Sequence, residues 1–142
     1  MPNHYHFLLK QLQDQGIQKF MADILNSITR YYNILNSRKG PIFLTQFKSK
    51  RIYTEEQMVY VSRYIHTNPY AESLTDKKGI FTYPYSSISP YIIEGLNPFK
   101  ISTEDILNYF SHNRERYRQF ILKNAEDQKE KEFVKYTAKL LN

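Results

Sequence analysis

Between residues 17 and 35 the apolar side chains fall at Ile17, Phe20, Met21, Ile24, Leu25, Ile28, Tyr31, Tyr32 and Leu35. This three-and-four spacing predicts an amphipathic helix of about five turns. It should end near Asn36, before the turn around Lys39, Gly40 and Pro41. Residues 2–10 alternate instead, with His4, His6 and Leu8 on one face and Tyr5, Phe7 and Leu9 on the other. That period of two predicts a short strand, and its bulky faces suit an interior one. Residues 42–53 predict a second strand, in which Phe43, Thr45, Phe47 and Ser49 oppose Leu44, Gln46, Lys48 and Lys50. Thr54 and Gln57 form a capping-box pair, so a helix starts at about Glu55. It is expected to end before Pro69, because a proline pushes the preceding residue out of the helical region. A turn follows at residues 76–79, and residues 83–91, with Pro84 and Pro90, allow no more than a short helix. Ser102 and Asp105 start a short helix through Phe110. A last helix is expected from about Asn113 to Leu140, with a polar break at residues 124–131.

The chain has 142 residues, which fits a single domain with a small helical extension. No apolar run approaches the roughly 18 residues of a membrane span, which excludes a transmembrane helix. The first ten residues lack a basic region followed by an apolar stretch, so no secretory signal is read and the cytoplasm is the expected compartment. The absence of cysteine excludes disulfide scaffolds, thiolate zinc sites and cysteine nucleophiles. The net charge of +6 suits a polyanionic partner. That charge is concentrated: residues 25–53 hold no Asp or Glu but carry Arg30, Arg38, Lys39, Lys48, Lys50 and Arg51. Tyr31, Tyr32, Phe43 and Phe47 are interleaved, a pattern that favours a phosphate-backbone contact surface over an ordinary solvated face.

Two groups of residues can do chemistry. On a strand, His4 and His6 point the same way, about 6.5–7 Å apart at the alpha carbons. Two imidazoles so placed can converge on one divalent cation. So short a motif, standing alone, more often marks two partly exposed histidines near a chain start that bind nothing. In the segment Arg63-Tyr64-Ile65-His66-Thr67-Asn68-Pro69, Tyr64 and Asn68 share one helical face. A tyrosine hydroxyl beside a cation-bound phosphate is a candidate nucleophile, and an asparagine amide oxygen a neutral third ligand. Standing alone, a tyrosine such as Tyr64 is more often a core or surface packing residue. His66 lies about 200° around the helix from Tyr64 and reads as structural, aided by the negative helix end.

MPNHYHFLL, then FKSK at residues 47–50, RYIHTNP at 63–69 and YPYSS at 83–87, occur in one order. This series resembles the tyrosine transposases of the insertion-sequence-200 type, and most closely their REP-associated branch, within the HUH endonuclease superfamily. The similarity runs over residues 1–122. The resemblance implies an α+β fold: a truncated ferredoxin-like HUH domain, the beta-alpha-beta-alpha portion, over residues 1–95, with a helical C-terminal extension over residues 96–142. It implies that His4 and His6 bind Mg²⁺ or Mn²⁺, that Tyr64 is the catalytic nucleophile and that Asn68 helps hold the metal. Such enzymes cleave single-stranded DNA beside hairpins, form a 5′-phosphotyrosine link and rejoin strands without high-energy cofactors. A free tyrosine titrates near 10, so a cation on the scissile phosphate is needed to assist its attack.

The chain departs from that pattern. The family domain usually has a strand, a helix and a strand ahead of the histidine motif, so Met1 is expected to be a misassigned start or the remnant of a broken gene. Gln46 stands where the family commonly has an arginine, which weakens a DNA contact. The bare sheet edge expected of such a fragment favours self-association as a homodimer. Three readings compete. The first is a metal-dependent single-strand DNA transposase. The second is a nucleic-acid-binding remnant that cannot cleave. The third, a helical interaction protein with these residues idle, is disfavoured by the acid-free basic stretch.

Overall fold

The computed structural model describes residues 4–43, 46–98 and 100–131. The chain divides into two compact units: a larger one comprising the residues through Phe7 and those from Ile52 onward, and a smaller one, Leu8–Arg51. The expected boundary at residue 95 therefore falls inside the larger unit.

The smaller unit is built on α1, Gly16–Leu35, which ends at the expected Asn36. Only Met21 of its apolar stripe is buried, while Phe20, Ile28, Tyr31, Tyr32, Ile34 and Leu35 are exposed. The turn after α1 is closed by side chains: Asn33 Nδ2 donates to the Gly40 carbonyl at 2.8 Å and Asn36 Nδ2 to that of Tyr32 at 2.9 Å. Gly40 has φ of 94°, a conformation that costs a residue with a Cβ about 1 kcal/mol.

The larger unit is organised around α2, Glu55–Ala71. The Thr54 hydroxyl oxygen accepts from the Gln57 amide at 3.1 Å, and Gln57 Oε1 accepts from the Tyr53 amide at 2.9 Å. These bonds satisfy orphan donors, and Glu55 and Glu56 suit the positive helix end. The helix does not stop before Pro69 as expected but runs through it to Ala71. The residue pays a missing N–H and a steric clash, about 3 kcal/mol in a helix interior. Packing offsets that cost, since every residue from His66 to Ala71 is buried. Val59, Ser62, His66 and Tyr70, at helical spacing, line one stripe of α2.

Around α2 stand a 3₁₀ turn, Gly79–Phe81, and three further helices: α3, Ser89–Ile92; α4, Glu104–Tyr109; and α5, Arg114–Lys123. α5 starts at the expected Asn113, whose side chain accepts from the Arg116 amide at 3.0 Å. The expected polar break shrinks to Asn124, because residues 125–131 are again helical. The stretch expected to reach Leu140 lies beyond the described residues. Ile80, Ile88, Tyr91, Ile106, Leu107, Tyr117, Ile121 and Ala125 complete the core.

The α+β expectation is overturned. Among the described residues there is no strand and no sheet, so neither the ferredoxin-like portion nor the bare sheet edge proposed for self-association is present. Residues 4–10 and 46–53 are irregular, and Leu44 and Thr45 lie outside the described residues. The cause is burial. Residues 4–7 and 46–51 are exposed, so alternation there matches no buried face and nothing fixes a pleat register. A strand also needs a partner, which alternation cannot supply. Among the described residues no helix is long and apolar enough to cross a membrane.

Candidate active site

Fifty-eight positions separate His6 from Tyr64, yet their rings lie 5.5 Å apart at the centroids, with an interplanar angle of 75°. The His4 ring lies 5.1 Å from that of His6, again edge to face. Both histidines are exposed and Tyr64 is half-buried, so this face is open to a polymer. Three of the four residues expected to do chemistry are thereby brought together, all within the larger unit.

Asn68 sits one turn after Tyr64 on α2. It is 1% exposed, and neither its amide oxygen nor its amide nitrogen has a hydrogen-bond partner among the described residues. Leaving a buried polar group unpaired costs about 1–3 kcal/mol. An orphaned amide oxygen fits a ligand role better than a packing role. Among the described residues no group of three His, Cys, Asp or Glu could hold a metal. The expected donors, two exposed imidazoles and one buried neutral amide, are of a kind that would suit a cation whose remaining positions go to water or phosphate oxygens.

The backbone at Tyr64 is held by a distant residue. Gln128 Nε2 donates to the Tyr64 carbonyl at 3.2 Å, and the Thr67 hydroxyl donates to Gln128 Oε1. Both ends of one amide are thus fixed on α2. Tyr70 and Lys77 both donate to the Glu126 carboxylate, at 2.6 and 3.0 Å. Those two bonds draw Glu126 below the usual carboxylate range, Tyr70 contributing most.

Beneath this face lies a buried polar chain. Tyr117 Oη is 2.6 Å from Ser62 Oγ and 2.7 Å from His66 Nδ1, and His66 Nε2 is 3.2 Å from Ser87 Oγ. One assignment satisfies every group: Ser62 donates to Tyr117, Tyr117 donates to His66 Nδ1, and Nε2–H donates to Ser87. Burial keeps the imidazole neutral, lowering its pKa to about 3, and raises that of the Tyr117 phenol. His66 is structural, as the sequence suggests, but burial dominates its titration where the helix end was expected to.

Of the six expected DNA contacts, Arg30, Arg38, Lys39, Lys48, Lys50 and Arg51 are all exposed, and all belong to the smaller unit. Arg38 is partly committed to the turn, donating to Asn33 Oδ1 at 3.2 Å and to the Pro41 carbonyl at 3.4 Å. Sequence reasoning missed Arg63, whose guanidinium lies 4.8 Å from the Tyr60 ring and 4.7 Å from that of Phe120. The Tyr60–Arg63 spacing was a readable signal; Phe120, from another helix, was not. No family model matches the chain, and neither a curated protein nor a solved structure does so.

Proposed function

We propose that the chain is a single-strand DNA cleaving and joining domain of the tyrosine-transposase kind, acting beside hairpins. The observation that carries this reading is the meeting of His4, His6 and Tyr64 on one open face. The Tyr64 phenol oxygen attacks the scissile phosphorus. A tyrosyl–phosphorus bond forms and the bond to the 3′-oxygen breaks. The phenolic proton passes to solvent, and the leaving oxygen ends as a 3′-hydroxyl. The ester bond is conserved, so attack by a 3′-hydroxyl reverses the step and joins strands. His4 and His6, with Asn68 as neutral donor, would hold Mg²⁺ or Mn²⁺, which would supply Lewis-acid charge at the scissile phosphate when bound. Arg30, Lys39, Lys48, Lys50 and Arg51 offer phosphate contacts, with Arg38 beside them.

One observation favours a second reading, a nucleic-acid-binding remnant without cleavage. The segment carrying His4 and His6 has no ladder to fix it among the described residues, whereas catalysis needs groups held to about 0.5 Å.

The test uses hairpins with single-stranded flanks, taken from DNA bordering the coding sequence and labelled at the 5′ or the 3′ end. With Mn²⁺, a covalent adduct on a denaturing gel should carry only the label 3′ to the cut. Tyr64→Phe and the double variant His4→Ala, His6→Ala should both lose it. An adduct that survives Tyr64→Phe assigns the chemistry to another tyrosine. Binding without any adduct selects the remnant.

A further inference from the structure

Arg63 is held in an unusual way for a half-exposed arginine. Its guanidinium carbon lies 4.8 Å from the ring of Tyr60, one helical turn earlier, and 4.7 Å from that of Phe120 of α5. The two rings lie 5.8 Å apart at their centroids with a tilt of 55°, so they form a cleft and not a parallel clamp. Phe120 is itself braced by Phe110, at 5.3 Å, and by Tyr117, at 6.4 Å. The cleft is therefore anchored to the core. Burial lowers the Arg63 pKa, and the nearby Tyr60 and Asp127 act in the opposite sense. An arginine stays charged at neutral pH all the same.

The two rings flank the guanidinium carbon and leave its N–H donors without a ring contact that would consume them. The Arg63 carbonyl accepts from the Thr67 hydroxyl at 2.9 Å, but its guanidinium makes no hydrogen bond or ion pair with a described residue. Five N–H donors lie in the plane of the guanidinium. The two ring contacts already restrict the side chain, so less rotamer entropy remains to be lost on binding. Its two forked donors match the oxygens of a phosphate. Arg63 also adjoins Tyr64 in the chain, on the helix that carries the candidate nucleophile. Tyr60 is 54% exposed and shares a helical face with Tyr64.

We infer that Arg63 and Tyr60 form a nucleotide-binding subsite next to Tyr64. Arg63 takes a backbone phosphate through its N–H donors, and Tyr60 stacks the adjoining base. This inference rests on the reading of the chain as a single-strand DNA enzyme or its binding remnant, and it names a residue pair that neither reading requires. The subsite lies in the larger unit, apart in sequence from the basic stretch that carries Arg30 to Arg51.

The test measures binding of fluorescein-labelled dT₁₂ by anisotropy over a range of NaCl concentrations. A parallel 12-mer has the same phosphates and no bases. Each single-strand phosphate contact contributes about 0.7 to the slope of log affinity against log salt. Arg63→Gln should lower that slope by about 0.7 on both oligomers. Arg63→Lys should keep the slope while weakening both, because the charge stays and the fork is lost. Tyr60→Ala should weaken dT₁₂ by about 5-fold or more and leave the abasic 12-mer unchanged. Where a variant fails a far-UV circular dichroism check of folding, the wild type decides. Its Arg63 Nε–Hε resonance should move on adding dT₁₂ and stay in place with inorganic phosphate at equal total phosphate. An equal shift with inorganic phosphate would reduce the subsite to a general anion site and overturn the nucleotide assignment. Wild-type binding with an unchanged Arg63→Gln slope, or an unmoved resonance, would overturn the inference alone. Absence of any dT₁₂ binding by the wild type would overturn the nucleic-acid reading and the inference together.

Discussion

Replacing Tyr117 by Phe removes one oxygen from the centre of the larger unit and keeps the ring. The ring is fully buried, so its packing against Tyr91, Phe110 and Phe120 should survive. What is lost is the hydroxyl that joins Ser62, 2% exposed, to His66, 3% exposed. Ser62 can turn its hydroxyl to a carbonyl one helical turn earlier, so its share of the loss is small. His66 Nδ1 has no such alternative, and an unsatisfied buried acceptor costs about 1–3 kcal/mol. The expected destabilisation is about 2 kcal/mol at pH 7.5, read from urea unfolding followed by far-UV circular dichroism.

The same network fixes a pH dependence. The His66 pKa falls from 6.5 to about 3 on folding, with burial as the cause. Its stabilising effect is complete above pH 6.5 and is lost as pH falls, because there the unfolded chain holds the extra proton. The loss from this group is about 2 kcal/mol at pH 5 and grows by about 1.4 kcal/mol per further unit down to about pH 3. His66→Leu should unfold more easily at neutral pH but lack this component, so the stability gap between it and the wild type should narrow on acidification. A Tyr117→Phe loss below about 0.5 kcal/mol, or a gap that does not narrow, would refute the buried-network reasoning.

Three other outcomes are expected. Charge removal at Lys48, Lys50 and Arg51 together should lower the salt slope of dT₁₂ binding by about 2, against little change from Lys78, Lys123 and Lys131, and equal effects would mean the acid-free stretch is not a binding face. Ile121→Ala should cost about 2–5 kcal/mol in chemical denaturation because the side chain is fully buried, whereas Ile34→Ala, on the exposed end of α1, should fall within about 0.5 kcal/mol of wild type. Gly40→Ala should destabilise the smaller unit by about 1 kcal/mol, measured as faster hydrogen exchange of the Arg38 amide, which donates to the Asn33 carbonyl at 3.0 Å.

Local signals in the sequence translate well where the physics is local. The Ile17–Leu35 periodicity, the Thr54–Gln57 box and Asn113 as a cap each act within one or two helical turns, and each marks an observed helix start or span. The strands do not appear because pairing is non-local: alternation at His4 to Leu9 states a preference, while a ladder needs a second segment at the right register. Pro69 misleads for the related reason that tertiary burial of His66 to Ala71 overrides a backbone penalty. His4, His6 and Tyr64 could be singled out as residue types, and their proximity is a product of folding. Phe120 and Gln128 act on α2 from more than fifty residues away, so neither spacing nor composition points to them.

The larger unit is discontinuous along the chain: the histidines enter it before the 44-residue excursion Leu8–Arg51, and Tyr64 enters after it. Joining the two parts therefore closes a loop, at an entropic cost of about 3 kcal/mol for a flexible chain of that size. The cost varies only logarithmically, so halving or doubling the excursion changes it by about 0.6 kcal/mol. The excursion can thus lengthen, shorten or exchange its charged surface with little thermodynamic consequence for the meeting of His6 and Tyr64. Change in the surface of the smaller unit is in this way uncoupled from the residues that the larger unit holds together.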